Sequence, residues 1–212
     1  GLSLTFVIAI LDYGSGNLRS AQRAFETSGK EVVLTSDYDV ALNADGLVVP
    51  GVGAFAACMQ GINKYRGLEI VDKRLAGNRF VLGICVGMQV MFEHGLEHGV
   101  KTAGLHQWPG DVTEIKASIL PHMGWNNVQV ANGSKLFKGV ETEKFYFVHS
   151  FAAKDLDLHG TDKIDAPLKH FATHGEKFLA AVEDGALCAT QFHPEKSGQA
   201  GLTLIANWSA GL

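Results

Sequence analysis

The sequence contains few cysteines, few prolines and no long apolar run. Cysteine occurs three times in 212 residues, as Cys58, Cys85 and Cys188, and proline occurs five times. Three cysteines do not suffice for a disulfide framework, which favours a reducing compartment and predicts a cytoplasmic location. No apolar stretch reaches the roughly 20 residues that cross a bilayer, and the N-terminus lacks a basic signal region. We therefore expect neither a membrane span nor a secretory signal.

An excess of charge of one sign is also missing. The chain has 18 basic and 22 acidic residues, a formal net charge of −4, and no cluster of lysine or arginine. This balance does not attract a nucleic acid or an anionic membrane, so neither is an expected partner. The hydrophobic fraction of 46% is ordinary for a compact enzyme, and the length suits a single domain over residues 1–212.

Apolar runs alternate with helical patterns in the first half of the chain. Strands are predicted over residues 5–11, 31–35, 46–49 and 79–84, and helices over residues 18–28, 54–62, 68–76 and 86–94. Continuous apolar runs such as 5–11 are typical of strands that are buried on both faces. Alternation of this kind predicts an α/β fold with an open, mostly parallel sheet and helices on both faces.

The second half has short strand-like runs with few helices between them. They cover residues 111–116, 127–131, 144–148, 178–182 and 187–191, so additional mixed or antiparallel strands are expected there. Residues 154–177 are polar and interrupted by Pro167, glycines and aspartates, which predicts a surface excursion. A closing helix is predicted over residues 198–210.

Cys85 has the sequence context of a catalytic nucleophile. It stands in the segment GICVG (83–87), where a buried strand turns into a helix. This is the cysteine counterpart of the nucleophile elbow, in which flanking glycines let neighbouring backbone approach a strained central residue. A following helix N-terminus would favour the thiolate, and the Val86 amide would face an oxyanion. A lone cysteine is more often a small buried hydrophobe, which is our interpretation of Cys58 and Cys188.

His193 and Glu195 are a candidate base and its orienting carboxylate. They follow an apolar strand in the segment QFHPE (191–195). Residues two apart in an extended segment point to the same side, so the carboxylate can bond one imidazole nitrogen and leave the other for a thiol. The alternative for such a pair is a surface histidine beside a glutamate. Together with Cys85, the pair predicts attack on a carboxamide, a thioester and release of ammonia.

Two further segments supply candidates for an oxyanion hole and for substrate binding. The segment PGVGAF (50–55) follows a strand, and its glycines would let a peptide turn the N–H of Val52 or Gly53 towards the oxyanion. It also matches a dinucleotide-binding pattern, but it follows the third strand and begins with proline, so no cofactor is predicted. Gln89, one turn after Cys85, is a candidate for binding the α-carboxylate or amide of a substrate.

Glu97 is a candidate for binding a substrate α-ammonium group. It lies in HGLEH (94–98), which also matches the zinc-peptidase pattern H-x-x-E-H. That pattern binds zinc only when it lies on one helix, and Gly95 falls where the predicted helix should end. No further ligand follows, so we predict no metal site. An ordinary solvated helix end is the alternative for both Gln89 and Glu97.

These motifs resemble those of the class I (triad) glutamine amidotransferases. The resemblance rests on GICVGMQ (83–89) and HPE (193–195), which contain all three triad positions. Within that class the chain is similar to the glutaminase subunits of imidazole glycerol phosphate synthase, through DYGSGN (12–17), PGVG (50–53), HMGWN (122–126), YFVHS (146–150) and HPEKS (193–197). Val86 replaces the leucine that is usual after the nucleophile, but only its backbone N–H is needed.

The resemblance implies a flavodoxin-like fold and the hydrolysis of glutamine by Cys85, His193 and Glu195. It also implies a (β/α)₈-barrel cyclase subunit as the partner in a heterodimer. The cyclase would use the ammonia to make imidazole glycerol phosphate and an aminoimidazole carboxamide ribotide in histidine biosynthesis. By the same resemblance, the partner-facing residues are Asn17, Trp125 and Asn126, and the residues that border the glutamine site are His149, Ser150 and Phe151.

One argument for a partner does not need the resemblance. Free ammonia is mostly protonated at neutral pH and lost as a nucleophile, and this chain has no room for a synthase domain. We therefore expect the acceptor site on another polypeptide, and weak activity that rises when this partner binds. Alternatives are the glutaminase of vitamin B6, anthranilate or guanylate synthesis, against which HMGWN (122–126) argues, a γ-glutamyl cysteine hydrolase without a partner, and a non-catalytic binding module.

Overall fold

The buried apolar runs of the sequence form the centre of a large sheet. The computed structural model describes residues 6–212. Its strands are β1 Val7–Leu11, β2 Glu31–Thr35, β3 Gly46–Val49, β4 Phe80–Ile84, β5 Phe92–Glu97, β6 Val100–Ala103, β7 Trp108–Glu114, β8 His122–Asn127, β9 Lys144–His149, β10 Phe151–Ala152, β11 Leu168–His174, β12 Glu176–Asp184 and β13 Leu187–Thr190. Its helices are α1 Arg19–Glu26, α2 Tyr38–Asn43, α3 Phe55–Lys64, α4 Gly67–Ala76, α5 Val86–Gln89 and α6 Gly198–Ser209, and a 3₁₀ turn, Pro194–Lys196, precedes α6.

The large sheet has seven strands in the order β11-β12-β13-β4-β3-β1-β2. Five of them, β2, β1, β3, β4 and β13, pair in parallel. The remaining two extend one edge by antiparallel pairing, β12 on β13 and β11 on β12. The predicted α/β fold with a mostly parallel sheet is therefore confirmed, as is the antiparallel pairing expected in the second half.

The direction in which the chain crosses this sheet determines where its helices and its crevice lie. The chain moves from β1 to β2 in one direction and from β2 to β3 and β4 in the other. Because crossovers between parallel strands are right-handed, α1 lies on one face and α2, α3 and α4 on the opposite face. Helix α6 packs beside α1. The reversal opens a crevice at the carboxyl ends of β1 and β3, which is where open α/β sheets bind ligands.

Two smaller sheets come from the second half of the chain. One has the order β10-β7-β5-β6, and the other is the antiparallel pair of β8 and β9. The β8–β9 hairpin is fixed next to the loop that follows β13, because the amide of His193 donates to the carbonyl of Tyr146 at 3.0 Å. Ser197 strengthens this junction, since its hydroxyl accepts from the Tyr146 amide and donates to the His193 carbonyl.

The predicted helix over residues 86–94 is wrong beyond its first turn. Helix α5 ends at Gln89, and the chain continues as strand β5. The backbone groups that would have closed further helical turns pair instead with residues 104–108; for example, the amide of Leu105 donates to the carbonyl of Val90 at 2.7 Å. Gly95 packs its Cα against the ring of Phe55, with no space for a side chain. These long-range contacts override the helical pattern.

Two other predictions need correction, and some elements are absent from the prediction. The strand predicted over residues 127–131 is wrong: β8 ends at Asn127, and Gln129 forms only an isolated bridge with Phe171. The surface excursion predicted over residues 154–177 is wrong in its last part, because β11 forms an edge strand of the large sheet. Helix α2 and strand β6 were not predicted. The strands predicted over residues 31–35 and 46–49 are present with those bounds, and the other predicted elements are present with shifted ends. Residue 5 of the first predicted strand lies outside the described residues.

Candidate active site

Cys85 occupies a strained turn between β4 and α5. Its backbone has φ of 58° and ψ of −114°, a conformation that costs a residue with a side chain about 1–3 kcal/mol. The flanking glycines are required by packing: a Cβ on Gly83 would overlap the carbonyl of Gly87, and one on Gly87 would overlap the carbonyl of Val49. The turn therefore has the geometry of a nucleophile elbow. Since α5 is a single turn, its dipole is small, and activation of the thiol depends on other groups.

His193 and Glu195 form a buried pair directly after β13. The Nδ1 atom of His193 lies 2.5 Å from Oε1 of Glu195, and each side chain is about one-twentieth exposed. Burial opposes charge on the imidazole, but interactions with Cys85 and Glu195 outweigh it and raise the pKa of His193 to about 10. The protonated imidazole is therefore the stable form at neutral pH. In that form both ring nitrogens carry hydrogen, so His193 can donate a proton.

The second imidazole nitrogen of His193 is left for chemistry. Its Nε2 atom is buried and makes no hydrogen bond to any residue in the range 6–212. His193 and Cys85 line the same cavity, so this nitrogen can pass a proton between the sulfur and a leaving group. The sulfur itself has two weak contacts, with the Gln191 amide at 3.8 Å and the Val148 carbonyl at 3.9 Å. The structure thus brings all three predicted triad residues together.

The cavity at Cys85, called the Cys85 cavity below, has a volume of about 170 Å³. Its lining contains every residue that the sequence suggested for the oxyanion hole and for substrate binding. These residues are Val52, Gly53, Val86, Gln89, Glu97, His149, Ser150 and Phe151. Cys85, Val148 and the triad residue His193 complete the lining. The predicted candidates therefore share one site, although they come from four separate segments.

The predicted oxyanion hole is not assembled in this conformation. The amide of Val86, its expected donor, gives its hydrogen to the carbonyl of Gly51 at 3.1 Å. Gly51 fits this close approach only because it has no side chain, since a Cβ there would lie 2.7 Å from the amide nitrogen of Gly87. Tyr13 also holds the segment from its other side, because its hydroxyl donates to the carbonyl of Pro50. A carbonyl thus occupies the donor that an oxyanion would need.

Glu97 reaches the Cys85 cavity from a strand and not from the end of a helix. It is the last residue of β5, and its Oε1 atom accepts from the backbone amide of Phe55 at 3.2 Å. The pattern H-x-x-E-H therefore does not lie on one helix. His94 instead pairs with Asp111 across the small sheet at 3.0 Å. Atoms of Glu93, His94 and Asp111 that could bind a metal come within 4.8 Å of one another. These groups are partly exposed, and their cross-strand hydrogen bonds are sufficient to explain why they lie close together.

The three residues expected to face a partner do not share one orientation. Trp125 is 54% exposed, and Asn17 lines a second cavity of about 310 Å³ that His193, Glu195 and Lys196 also line. Asn126 points to the opposite side of β8, as alternation along a strand requires. Its side-chain amide donates to Nε2 of His122 and to the carbonyl of Thr173. Asn126 is therefore a poor candidate for direct contact with a partner.

Sequence reasoning missed several polar residues that support the site. Gln191 bonds Gln89 at 3.2 Å and contacts the Cys85 sulfur; its position two residues before His193, on the same side of an extended segment, was an available signal. Tyr13 lies in a glycine-rich loop whose sequence pattern does not distinguish it from its neighbours. His122 bonds His149 from the neighbouring strand, and no pattern in the sequence indicates that contact.

Comparison with known proteins gives concordant matches over almost the whole chain. A sequence model of the family described as glutamine amidotransferase class-I matches residues 9–210. A Streptomyces avermitilis protein named imidazole glycerol phosphate synthase subunit HisH is 57% identical over 209 residues, which are 98% of this chain and 97% of that protein. A Mycobacterium bovis protein of the same name is 57% identical over 206 residues, covering 97% of this chain and 98% of that protein.

Solved structures show the same architecture at much lower identity. A crystal structure described as a glutamine amidotransferase has a TM-score of 0.71 at 18% identity, and the match covers 97% of this chain and 99% of that chain. The glutaminase domain of Trypanosoma brucei CTPS, solved with bound acivicin, has a TM-score of 0.62 at 16% identity, covering 97% and 94%. These likenesses confirm the flavodoxin-like fold. Among residues 6–212, no helix is both long and apolar enough to cross a membrane.

Proposed function

The chain belongs to the class-I glutamine amidotransferase family, and from this membership we propose that it is the glutaminase subunit of an imidazole glycerol phosphate synthase. Relatives that carry this name are 57% identical over nearly the full length of both chains. The observation that carries the catalytic proposal is the Cys85 cavity, in which a strained cysteine meets a buried His193–Glu195 pair. We treat residues 1–212 as one amidotransferase domain that works in the cytoplasm.

The reaction follows from the positions of the triad atoms. The Cys85 thiolate attacks the side-chain carboxamide carbon of glutamine, and the carbonyl electrons move to oxygen. His193 donates its Nε2 proton to the nitrogen, the C–N bond breaks, and ammonia leaves from a thioester of Cys85. His193 then takes a proton from water, whose oxygen attacks the thioester carbon; the C–S bond breaks, glutamate is released and the Cys85 thiolate is restored. Glu195 keeps the imidazole oriented and stabilises its charge.

Turnover also requires a rearrangement of the segment PGVG (50–53). While the Gly51 carbonyl accepts from the Val86 amide, the tetrahedral oxyanion has no donor at that place. Rotation of the peptide between Gly51 and Val52 would free the Val86 amide and direct the Val52 N–H into the Cys85 cavity. Removing one oxyanion donor costs about 10²–10³ in kcat, so the conformation described here supports only slow hydrolysis.

The substrate groups have matching partners in the Cys85 cavity. The Glu97 carboxylate suits the α-ammonium group of glutamine, and the Gln89 side chain suits its side-chain carboxamide. Ser150 and Phe151 border the same space. Ammonia leaves on the side of His193 where the second cavity, lined by Asn17, opens between the loops that follow β1 and β3. The exposed Trp125 side chain approaches Gly198, two residues after Lys196 in the lining of this cavity, and this is where we place the cyclase partner.

The partner is proposed to be a (β/α)₈-barrel cyclase in a heterodimer. It would use the ammonia to form imidazole glycerol phosphate and an aminoimidazole carboxamide ribotide in histidine biosynthesis. No observation favours the alternative glutaminases of vitamin B6, anthranilate or guanylate synthesis, or a γ-glutamyl hydrolase that works alone. The intact triad also argues against a non-catalytic binding module.

The experiment that tests this function is a glutaminase assay with and without the cyclase and its nucleotide ligand. We expect slow glutamate release by the chain alone and an increase of at least about 10²-fold in the complex, which corresponds to one recovered oxyanion donor. Full activity without the cyclase would contradict the coupling. Absence of glutaminase activity in the complex would contradict the function itself.

A further inference from the structure

A chain of buried polar side chains runs along the inner face of the β8–β9 hairpin. His122 begins β8 and lies directly opposite His149, the last residue of β9. Nδ1 of His122 is 2.9 Å from Nε2 of His149, and Nδ1 of His149 is 3.0 Å from the carbonyl oxygen of Phe151. At the other end, the amide of Asn126 lies 3.3 Å from Nε2 of His122. We call Asn126, His122, His149 and the Phe151 carbonyl the histidine relay.

The hydrogen bonds of the histidine relay fix where each proton lies. A carbonyl oxygen only accepts, so Nδ1 of His149 carries a hydrogen and donates to Phe151. Nε2 of the neutral His149 ring therefore accepts, and Nδ1 of His122 must donate to it. Nε2 of His122 then accepts from the Asn126 amide, whose oxygen is already bonded to the amide of Asn127. Both rings are thus neutral with the hydrogen on Nδ1.

Burial supports this assignment. The two imidazoles are 5% and 7% exposed, and His122 is stacked between the rings of Phe147 and His174. Burial, together with the nearby His174, lowers the pKa of His122 to about 4, and burial lowers the pKa of His149 to about 3. A proton added to His149 would place two N–H groups against each other at the central hydrogen bond, and a proton added to His122 would do the same at its contact with the Asn126 amide. The histidine relay therefore exists only while both rings are uncharged.

The relay ends on the carbonyl that also holds a substrate-binding candidate. The Phe151 oxygen accepts a second hydrogen bond from the side-chain amide of Gln89, at 3.0 Å. The other hydrogen of that amide goes to the Gln191 side chain at 3.2 Å. Because both hydrogens are used, the orientation of Gln89 is fixed, and its oxygen is the group left for a ligand. His149 and Gln89 thus hold the Phe151 carbonyl from two sides of the Cys85 cavity.

We propose that His122 is a positioning residue for the glutamine site: it donates to His149, keeps the hydrogen of His149 on Nδ1, where it is donated to the Phe151 carbonyl, and so holds Gln89 in the orientation that binds substrate. His122 does not line the Cys85 cavity, so it acts only through His149. Without this donor, Nε2 of His149 is free to take the hydrogen, and Nδ1 then repels the Phe151 carbonyl. The inference rests on the proposed glutaminase function for its kinetic readout.

The first test reads the protons of the wild-type chain directly. With ¹⁵N-labelled histidine, long-range ¹⁵N–¹H correlation spectra at pH 7 distinguish protonated from unprotonated ring nitrogens for each of the nine histidines. We expect His122 and His149 to carry hydrogen on Nδ1 and none on Nε2, a tautomer that free imidazole side chains disfavour. A hydrogen on Nε2 of His149, or a charged ring at either position, overturns the proposal. This test needs neither a variant nor activity.

The second test separates the hydrogen bond from packing. In His122→Asn the side-chain amide replaces Nδ1 as a donor, whereas His122→Leu fills similar space without one. For the complex with the cyclase and its nucleotide ligand, we expect His122→Leu to raise KM for glutamine about tenfold or more while kcat falls less than about threefold, since a buried acceptor loses its partner. His122→Asn should stay within about threefold of the wild type in KM.

A matched control is His174→Leu. His174 stacks on His122 at 4.4 Å between ring centroids but makes no hydrogen bond to His149, so its removal should leave KM unchanged. The proposal is overturned if KM rises equally in His122→Asn and His122→Leu. It is also overturned if a folded His122→Leu protein has an unchanged KM. If His122→Leu does not fold, the tautomers of the wild type and the KM of His122→Asn decide it. Loss of glutaminase in the wild-type complex contradicts the proposed function and leaves the tautomer result standing.

Discussion

The parallel sheet and the β8–β9 hairpin place apolar side chains in opposite ways. In β1, β3 and β4 the apolar residues are buried and form the core, as their continuous runs predict. In β8 the inward positions are His122 and Asn126, while Met123 and Trp125 on the outer side are 62% and 54% exposed. Apolar side chains in water and imidazoles in the interior are both unfavourable for folding alone. The comparison teaches that the sheet is organised for stability, and it supports the proposed role of the hairpin in recognition.

The largest expected effect concerns the end of β4, where the sheet presents its nucleophile. Cys85→Ala should lower glutaminase activity of the complex by at least about 10³-fold, because no other described group can form the thioester. The matched control is Cys188→Ala, since burial raises the pKa of that thiol to about 12 and makes it unreactive at neutral pH. The measurement is glutamate release at saturating glutamine. An active Cys85→Ala protein would remove the mechanism.

Glycine substitutions test whether the sheet depends more strictly on close packing than the hairpin does. Gly87→Ala should destabilise the chain by more than about 3 kcal/mol, because its Cβ meets the Val49 carbonyl, which the parallel sheet holds in place. Gly124→Ala in β8 should cost only about 1–2 kcal/mol, from its φ of 132°, since no atom lies within 4 Å of its Cβ. Urea unfolding gives both free energies. Equal losses would refute the contrast.

Trp125 tests the role of the hairpin in recognition. Trp125→Ala should weaken binding of the cyclase by about 2 kcal/mol, or roughly thirtyfold in Kd, as expected for an exposed aromatic anchor. The isolated chain should unfold at an unchanged temperature, because half of the side chain is already in water. Val100→Ala is the control, since Val100 is 59% exposed on β6 in a different sheet. Calorimetric titration measures the affinities, and an unchanged Kd for Trp125→Ala would place the interface elsewhere.

The smallest and most specific effect is an opposite dependence of stability on pH in the two regions. The pKa of His193 is raised to about 10, so its contribution is complete below the unfolded value near 6.5 and is lost as pH rises towards 10. The pKa values of His122 and His149 are lowered to about 4 and 3, so the unfolded chain binds protons first on acidification, and stability falls below pH 6.5. Each such group contributes up to about 1.4 kcal/mol per pH unit.

Variants assign each side of this pH profile to its region. Glu195→Gln should flatten the decrease in stability above pH 7 and leave the acid side unchanged, whereas His122→Leu should flatten only the acid side. The free energy of unfolding, measured by urea titration between pH 5 and pH 10, gives both slopes. The two regions would not be independent if either variant changed both slopes.

Residues whose role follows from local geometry could be predicted from the sequence. Cys85 lies between two glycines at a strand end, and His193 and Glu195 are two positions apart, so short-range rules suffice for the triad. The sheet strands were recognised because their apolar runs are continuous. The inverted pattern of β8 removed that signal, and β5 was misread because pairing with residues 104–108 overrides its helical periodicity. His122 needed the register between β8 and β9, which only long-range pairing defines.

The hydrogen bond from the Val86 amide to the Gly51 carbonyl has a consequence for nitrogen economy. The ratio of inactive to active chains is an equilibrium constant for the orientation of one peptide unit, and each 1.4 kcal/mol in favour of the bonded form lowers the active fraction about tenfold. Glutamine consumed when no acceptor is present scales with that fraction. On the proposed mechanism, this conformational preference inside one loop limits the futile loss of amide nitrogen at every glutamine concentration and without a separate inhibitor.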